Sequence, residues 1–217
     1  MGRTKKKAPP VIFVLSGVNG SGKSSVGGAM VRKSGAKYFN PDEAAYNIME
    51  ANPGCLPSAA NIAAWLEGKR LLEQAIAERL DYTFETTLGG ETITELLEYA
   101  AVAGINVWVW YVGLDSPERC VARVKERVAT GGHDITEEKI RERYIKSPLN
   151  LIRLLPHLSK LVVFDNTEEG DPQAGKTPQP RLLLKMEFGQ VIETCDLKGA
   201  PDWAKPILIT ALKLGFV

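Results

Sequence analysis

The chain has 217 residues, 44% of them hydrophobic and 24% charged, with a net charge of +1. That balance excludes a disordered chain and gives no overall field for a long nucleic acid. No apolar run approaches the ~20 residues needed to cross a bilayer.

Residues 1–10 carry Arg3 and Lys5 to Lys7 and then Pro9 and Pro10, a flexible basic terminus. Val11 to Leu15 is an apolar, β-branched run that suits a buried parallel strand. Ser16 to Gly22 is a glycine-rich break, and Ser24 to Lys33 reads as a helix. Lys37 to Phe39 is a short second strand ending at Asn40. Pro41, Asp42 and Glu43 fit the first turn of a helix that continues through Ala44 to Glu50.

Asn52 to Ser58 reads as a loop and Ala59 to Arg79 as a long helix. Tyr82 to Thr86 is a third strand, Glu91 to Val102 a helix and Ile105 to Val112 a fourth strand. Ser116-Pro117-Glu118 opens a helix that runs to about Ala129, stopped by Gly131-Gly132. Thr136 is placed to cap the next helix, which Pro148 is expected to break or kink. Leu161 to Phe164 is a fifth strand. Strands that alternate with helices predict an α/β fold with a five-stranded parallel sheet and helices on both faces. Residues 169–217 read as a small C-terminal appendage: a loop over Glu168 to Pro180, a hairpin from Leu182 to Lys185 and Gln190 to Thr194, and a helix after Asp202.

Gly17-Val18-Asn19-Gly20-Ser21-Gly22-Lys23-Ser24 matches GxxxxGK[ST] after a strand and before a helix, the context that makes this pattern a phosphate loop. Its glycines let the backbone turn N–H groups toward phosphate oxygens, and the helix start adds its positive end. Lys23 would reach the β and γ phosphates of ATP, and the Ser24 hydroxyl a Mg²⁺ ion. Asn19, Ser21 and Ser25 complete the candidate ATP-binding set. The P-loop NTPase class follows, with residues 11–168 as its domain. No NKxD base-reading motif is present to suggest a GTPase. Asp115 ends the fourth strand region but precedes Ser116-Pro117, where its expected role is to help start the helix.

Asp42 sits after the second strand, at the sheet edge where such folds bind ligands. A carboxylate there can deprotonate an acceptor hydroxyl, or merely stabilise a first helical turn. Glu85, with Thr86 and Thr87, ends the third strand and can hold Mg²⁺ or a polar substrate, as can Asn40. Arg119, Arg123 and Arg127 share one helix face. With Arg141 and Arg143 across the Gly131-Gly132-His133 break they outline a lid over residues 116–150 that would close on phosphates.

Four blocks resemble the zeta toxin family of P-loop kinases, which is nucleoside-kinase-like in fold. They are Gly17 to Ser24; Phe39-Asn40-Pro41-Asp42-Glu43; Phe84-Glu85-Thr86-Thr87-Leu88; and Arg127 to His133 running through Arg143-Tyr144, Ser147, Asn150 and Leu151. The resemblance covers roughly residues 11 to 165. It implies transfer of the ATP γ-phosphate to a sugar hydroxyl of UDP-N-acetylglucosamine. It would make Asp42 the general base, set Lys23 and Ser24 on phosphate and Mg²⁺, place Glu85 and Thr87 near the acceptor, and make Arg127 and Arg143 the charge-neutralising arginines. Glu142, Lys146 and Pro148 depart from the family pattern. An antitoxin-like protein partner is compatible with the resemblance but not visible in one chain. The other readings are an ATP-binding regulatory protein without transfer activity, and a kinase for another nucleotide. Cys55, Cys120 and Cys195 form no metal or disulfide pattern, so a reducing cytoplasm is the expected compartment.

Overall fold

The computed structural model of the chain describes residues 8–28, 31, 38–132, 134–168 and 179–215. Its strands are β1 (Val11–Gly17), β2 (Tyr82–Thr86), β3 (Asn106–Gly113), β4 (Lys160–Asp165), β5 (Arg181–Glu187) and β6 (Gln190–Thr194). They form one six-stranded sheet in the order β2-β1-β3-β4-β5-β6. The first four strands pair in parallel and the last two antiparallel.

The α/β P-loop class is as the sequence indicates, but the five-stranded parallel sheet is corrected to a mixed sheet of six. The C-terminal hairpin does not stand apart as an appendage. It lies along β4, with Leu161 opposite Met186 and Val163 opposite Leu184. The hairpin thereby pairs backbone groups that an uncovered β4 edge would present to other chains. The expected second strand contributes a single described bridge, Phe39 to Phe84, at the outer side of β2. Lys37 lies outside the described residues. So do residues 1–7 of the basic terminus, parts of the Ser24 to Lys33 helix, His133, and residues 169–178 of the expected loop.

The helices are α1 (Pro41–Ala51), α2 (Pro57–Glu78), α3 (Glu91–Val102), α4 (Pro117–Ala129), α5 (Glu137–Leu154) and α6 (Lys205–Leu214). Their ends follow local chemistry. The Asn40 side chain accepts from the backbone N–H of Asp42 and Glu43 and so caps α1, with Pro41 at its first position. Ser116 accepts from Arg119 N in the same way at α4. Thr136 stands at the start of α5, but its hydroxyl makes no capping bond.

At the end of α4 the glycine pair forms a closed cap. Gly132 N donates to Arg127 O and Gly131 N to Val128 O, and Gly131 has a φ of 88°. This is the paired-bond terminus that favours glycine in the left-handed region. A side chain at Gly132 would lie 2.5 Å from Arg127 Cγ, so the cap also fits closely around that arginine.

Pro148 does not interrupt α5, contrary to expectation. Proline removes one helical bond. Neighbouring residues fix the helix on both sides of it: Ser147, Leu151 and Leu154 are buried. Side-chain periodicity fills the core. Ile12 and Val14 of β1, Val107, Val109 and Tyr111 of β3, and Leu161 and Val163 of β4 alternate onto one face. They meet Leu97 of α3, Leu151 and Leu154 of α5, and Leu208 of α6 in a single cluster. The opposite face carries Phe13, Trp110 and Phe164, with ring centroids 5.4 and 6.0 Å apart. Among the described residues no helix is long and apolar enough to cross a membrane.

Candidate active site

The loop between β1 and the following helix passes close to its neighbours at three glycines, Gly17, Gly20 and Gly22. A side chain at Gly17 (φ 141°) would fall 2.0 Å from Val112 O of β3. One at Gly22 (φ 78°) would meet the Asn166 amide at 2.6 Å. Only glycine combines those backbone angles with that closeness. Asn166 follows β4 and donates its Nδ2 to Ser21 O (2.8 Å), which ties the loop to the end of a third strand. Ser21 Oγ is buried and has no hydrogen-bond partner among the described atoms. Asn19 and Lys23 are also buried, whereas Ser25 is exposed. Ser24–Gly28 is wound as a π-helix, a winding frequent at functional sites.

Glu85 is the centre of the site. The parallel register sets Leu15 against Glu85 and Ser16 against Thr86, so the end of β2 stands beside the start of the loop. The Glu85 side chain is 3% exposed as a residue. Its Oε1 accepts from Ser24 Oγ (2.8 Å) and lies 3.4 Å from Lys23 Nζ. Its Oε2 accepts from Tyr38 OH (3.2 Å) and from Asn40 Nδ2 (3.4 Å). Asn40 thus serves two ends: its amide N–H contacts the buried acid, and its carbonyl caps α1. That arrangement fixes the first turn of α1, where the Asp42 carboxylate lies 3.3 Å from Arg127 Nη1.

The five arginines read from the sequence as one lid divide into separate duties. Arg127 reaches Asp42, and Arg143 Nη1 donates to Asn19 Oδ1 of the phosphate loop (3.3 Å). Arg123 donates to the carbonyls of Asn166 (2.9 Å) and Thr167 (3.4 Å), beside the loop. Arg119 pairs with Asp115 (2.8 Å), so Asp115 belongs to the start of α4. Arg119 holds the Asp115 carboxyl below its ordinary value. Arg141 faces outward and joins Glu118 (2.7 Å) to Glu137 (2.8 Å). A four-residue spacing puts side chains on one helix face, but long side chains diverge from it toward different partners.

Arg143 differs from the others in its surroundings. Burial pulls its guanidinium below the usual value, and the negative charges of Asp42 and Glu142 partly restore it. A partly desolvated cation beside a phosphate loop is a position that favours an incoming anion. The departures at Glu142 and Lys146 pair with each other on the surface (2.6 Å), one helical turn apart.

Next to this cluster is a cleft of about 270 Å³, lined among others by Trp65, Thr86, Thr87, Gly89, Lys139 and Arg143. It separates α2 from the first turns of α5. The Thr86 and Thr87 hydroxyls accept from Leu88 N (3.2 Å) and Gly89 N (3.4 Å), turning the chain sharply after β2. Leu88 completes the turn with a φ of 52° although it is not glycine, and its side chain is fully buried. Burial of that side chain offsets the backbone strain. Leu88→Ala is therefore expected to lower unfolding stability by about 2–5 kcal/mol, measured by urea denaturation. A loss under ~1 kcal/mol would mean that the turn does not depend on this anchor.

The structure brings together Gly17, Asn19, Gly20, Ser21, Gly22, Lys23, Ser24, Asn40, Asp42, Glu85, Thr86, Thr87, Arg127 and Arg143 around one loop and one cleft. It adds Tyr38, Trp65 and Asn166, which the sequence reading did not single out. Asn166 had a legible signal: it stands just past the end of the predicted fifth strand, Leu161 to Phe164, and ligands bind at strand ends in open α/β sheets. Tyr38 and Trp65 had none beyond their aromatic character.

A loop of this kind, closed by a lysine, a serine and a buried acid and overlooked by arginine-bearing helices, defines a P-loop protein of the kinase type. The chain belongs to the zeta toxin family, whose pattern it matches over residues 1–169. It is 32% identical over 134 residues to an uncharacterized protein of Haemophilus influenzae, covering 59% of this chain and 88% of that one. Its fold is similar to the AvrRxo1-ORF1:-ORF2 structure with ATP (TM-score 0.65, 14% identity). That match covers 93% of this chain, which spans only 63% of the other. It is also similar to a structure of the PezAT chromosomal toxin–antitoxin system of Streptococcus pneumoniae (TM-score 0.54, 13% identity, 80% of this chain and 75% of that one).

Proposed function

We propose that the protein is an ATP-dependent phosphotransferase that moves the γ-phosphoryl group of ATP to a hydroxyl of a small molecule. The acceptor to try first is UDP-N-acetylglucosamine or a related nucleotide-sugar. The observation that carries this reading is the Glu85 carboxylate, which contacts the Lys23 and Ser24 side chains on one side and Asn40, the cap of the Asp42 helix, on the other. One buried acid thereby sets a phosphate-binding lysine and an exposed carboxylate in a fixed relation.

In this mechanism the loop and Lys23 hold the ATP phosphates beside the buried Ser21 hydroxyl, which has no hydrogen-bond partner among the described residues. An acceptor in the cleft presents a hydroxyl toward Asp42. Its oxygen bonds to the γ-phosphorus while the bond from that phosphorus to the β,γ-bridging oxygen breaks, and ADP leaves. The hydroxyl proton passes to the Asp42 carboxylate. Arg127 and Arg143 meet the charge on the transferring group. Among the described residues no cluster of three or more His, Cys, Asp or Glu side chains forms. The Ser24 hydroxyl and Glu85 carboxylate are nonetheless hard oxygen donors 2.8 Å apart, and are the residues that would hold a Mg²⁺ ion. When bound, that ion would neutralise phosphate charge and orient the γ group.

The test is ADP release from Mg-ATP with and without UDP-N-acetylglucosamine, with mass spectrometry of the sugar nucleotide. A phosphate gained on the sugar supports both the reaction and the acceptor. ATP binding with no transfer to this or a broad panel of hydroxyl compounds would sink the phosphotransferase reading and leave a regulatory ATP-binding protein. The similar AvrRxo1-ORF1:-ORF2 and PezAT structures include a second protein or belong to a toxin–antitoxin system, so an antitoxin-like partner belongs to the reading. Its mark would be a co-purifying protein that suppresses ADP release when added back, and an activity indifferent to any such protein would remove it.

A further inference from the structure

The helix that carries Arg143 does more than present an arginine. One turn further on, Ser147 is fully buried and donates its hydroxyl to Thr87 O (2.5 Å). The same Oγ is 2.9 Å from Tyr111 OH on β3. Asn150 Nδ2 donates to Leu88 O (2.7 Å) and to Gly90 O (3.4 Å). Three consecutive polar contacts therefore tie α5 to the turn that forms the wall of the cleft. Between them, Gly89 lies so close that a side chain there would meet Arg143 Cγ at 2.6 Å. The turn is held to this helix by the hydrogen bonds of Ser147 and Asn150, and to Arg143 itself by shape.

The clamp is backed from the far end of the chain. The Tyr111 ring lies 5.9 Å from Trp203, whose ring occupies the space a side chain at Gly113 would need. Trp203 lies beyond residue 169, where the family match ends. Tyr111 is wholly buried, and burial keeps its phenol protonated, far above neutral pH. Its hydroxyl therefore keeps its proton and, because the single Ser147 proton goes to Thr87 O, Tyr111 is the donor in their bond.

We propose that Ser147 and Asn150 are positioning residues, which hold the acceptor-side turn Thr87 to Gly90 at a fixed offset from Arg143, with Tyr111 and Trp203 as their support. The proposal rests on the phosphotransferase reading for its effect on turnover, but not for the clamp itself. Neither residue reaches the phosphate loop in any contact described, so ATP binding does not depend on them. Acceptor placement does, because an ångström of misplacement costs about a hundredfold in rate.

The experiment uses the full chain and Ser147→Ala, Asn150→Ala and Ser147→Thr. Three quantities are read: affinity for a fluorescent ATP analogue, kcat and KM for ADP release with UDP-N-acetylglucosamine, and hydrogen exchange at residues 87–90. Expected are a loss of about tenfold or more in kcat/KM for the acceptor in both alanine variants and ATP affinity within about twofold of the parent. Faster exchange confined to residues 87–90 is expected too, and recovery in Ser147→Thr, which keeps the hydroxyl. Equal loss of ATP affinity and faster exchange throughout the chain would mean a purely structural role and overturn the proposal. If the parent does not phosphorylate UDP-N-acetylglucosamine, that acceptor alone fails, and exchange still decides the clamp. Unchanged exchange at residues 87–90 in Ser147→Ala and Asn150→Ala would overturn it. Asn150→Ala, a partly exposed site, gives the same comparison if Ser147→Ala does not fold.

Discussion

Asp42→Asn is expected to lower acceptor-dependent ADP release by about 10²–10⁴-fold while ATP affinity stays within about twofold. The amide has nearly the shape of the carboxylate, so the first turn of α1 keeps its cap from Asn40 and its Pro41 start. It can still accept from Arg127, now without the ionic part of that 3.3 Å pair. What it cannot do is take a proton from a hydroxyl. The competing role of Asp42, stabilising the positive end of a helix, is worth only about 0.3–1 kcal/mol and would appear in thermal stability rather than in turnover. The two roles are therefore separated by measuring both quantities on one variant. Full turnover in Asp42→Asn would remove this residue from proton transfer and direct attention to water or to the phosphate itself as the base.

The second large effect is expected at Arg143. Replacement by alanine should lower phosphoryl transfer by about 10³-fold or more, as loss of a charge-stabilising arginine does in other phosphoryl-transfer sites. The reason lies in its surroundings. The side chain is held beside Asn19 by the closeness of Gly89 and is desolvated enough to pull its guanidinium below the usual value. A charge kept in that state favours the transition state, where negative charge is greatest, over the resting protein. Arg143→Lys should recover little, because an ammonium lacks the planar fork that meets two oxygens at once. Neither variant should unfold more readily, since each relieves or preserves a poorly solvated charge rather than removing packing from the main core. Single-turnover measurements of both variants with Mg-ATP and acceptor check this. A loss smaller than about tenfold in Arg143→Ala would reassign the charge-stabilising role to Arg127.

Much of the architecture was legible because its signals are local. β2, α3 and α4 occupy the segments expected from periodicity and caps, and the phosphate loop is where its spacing put it. Glu85 was legible for a less local reason: a strand that ends in an acid and two hydroxyls, in a fold where the third strand commonly neighbours the first. The corrections concern long-range choices. Nothing in Leu182 to Lys185 says whether a hairpin stands alone or pairs with Leu161 to Phe164, because the pattern of apolar residues is the same in either case. Arg119, Arg123 and Arg127 share a helix face, but spacing does not reveal that Asp115 draws Arg119 away, or that Glu118 draws off Arg141 of the next helix. Pro148 reads as a break because propensity ignores the contacts of Ser147 and Asn150 with a loop about 60 residues earlier. Tyr38, Asn166 and Tyr111 act through similarly distant partners.

The position of β1 in the middle of the sheet also orders events in time. Val11 N donates to Asp81, 70 residues on, and Ser16 Oγ donates to Trp110 O, 94 residues on. The carbonyl that Gly17 must slip past belongs to Val112. A chain leaving the ribosome carries its phosphate loop early but lacks the second of the strands that flank and shape it until β3 has been made. Contacts of such sequence separation form slowly, since the intervening chain must be closed first. The nucleotide site is thus assembled only after β3 has emerged. Until then the most strongly patterned segment of the sequence exists without the geometry of a phosphate loop.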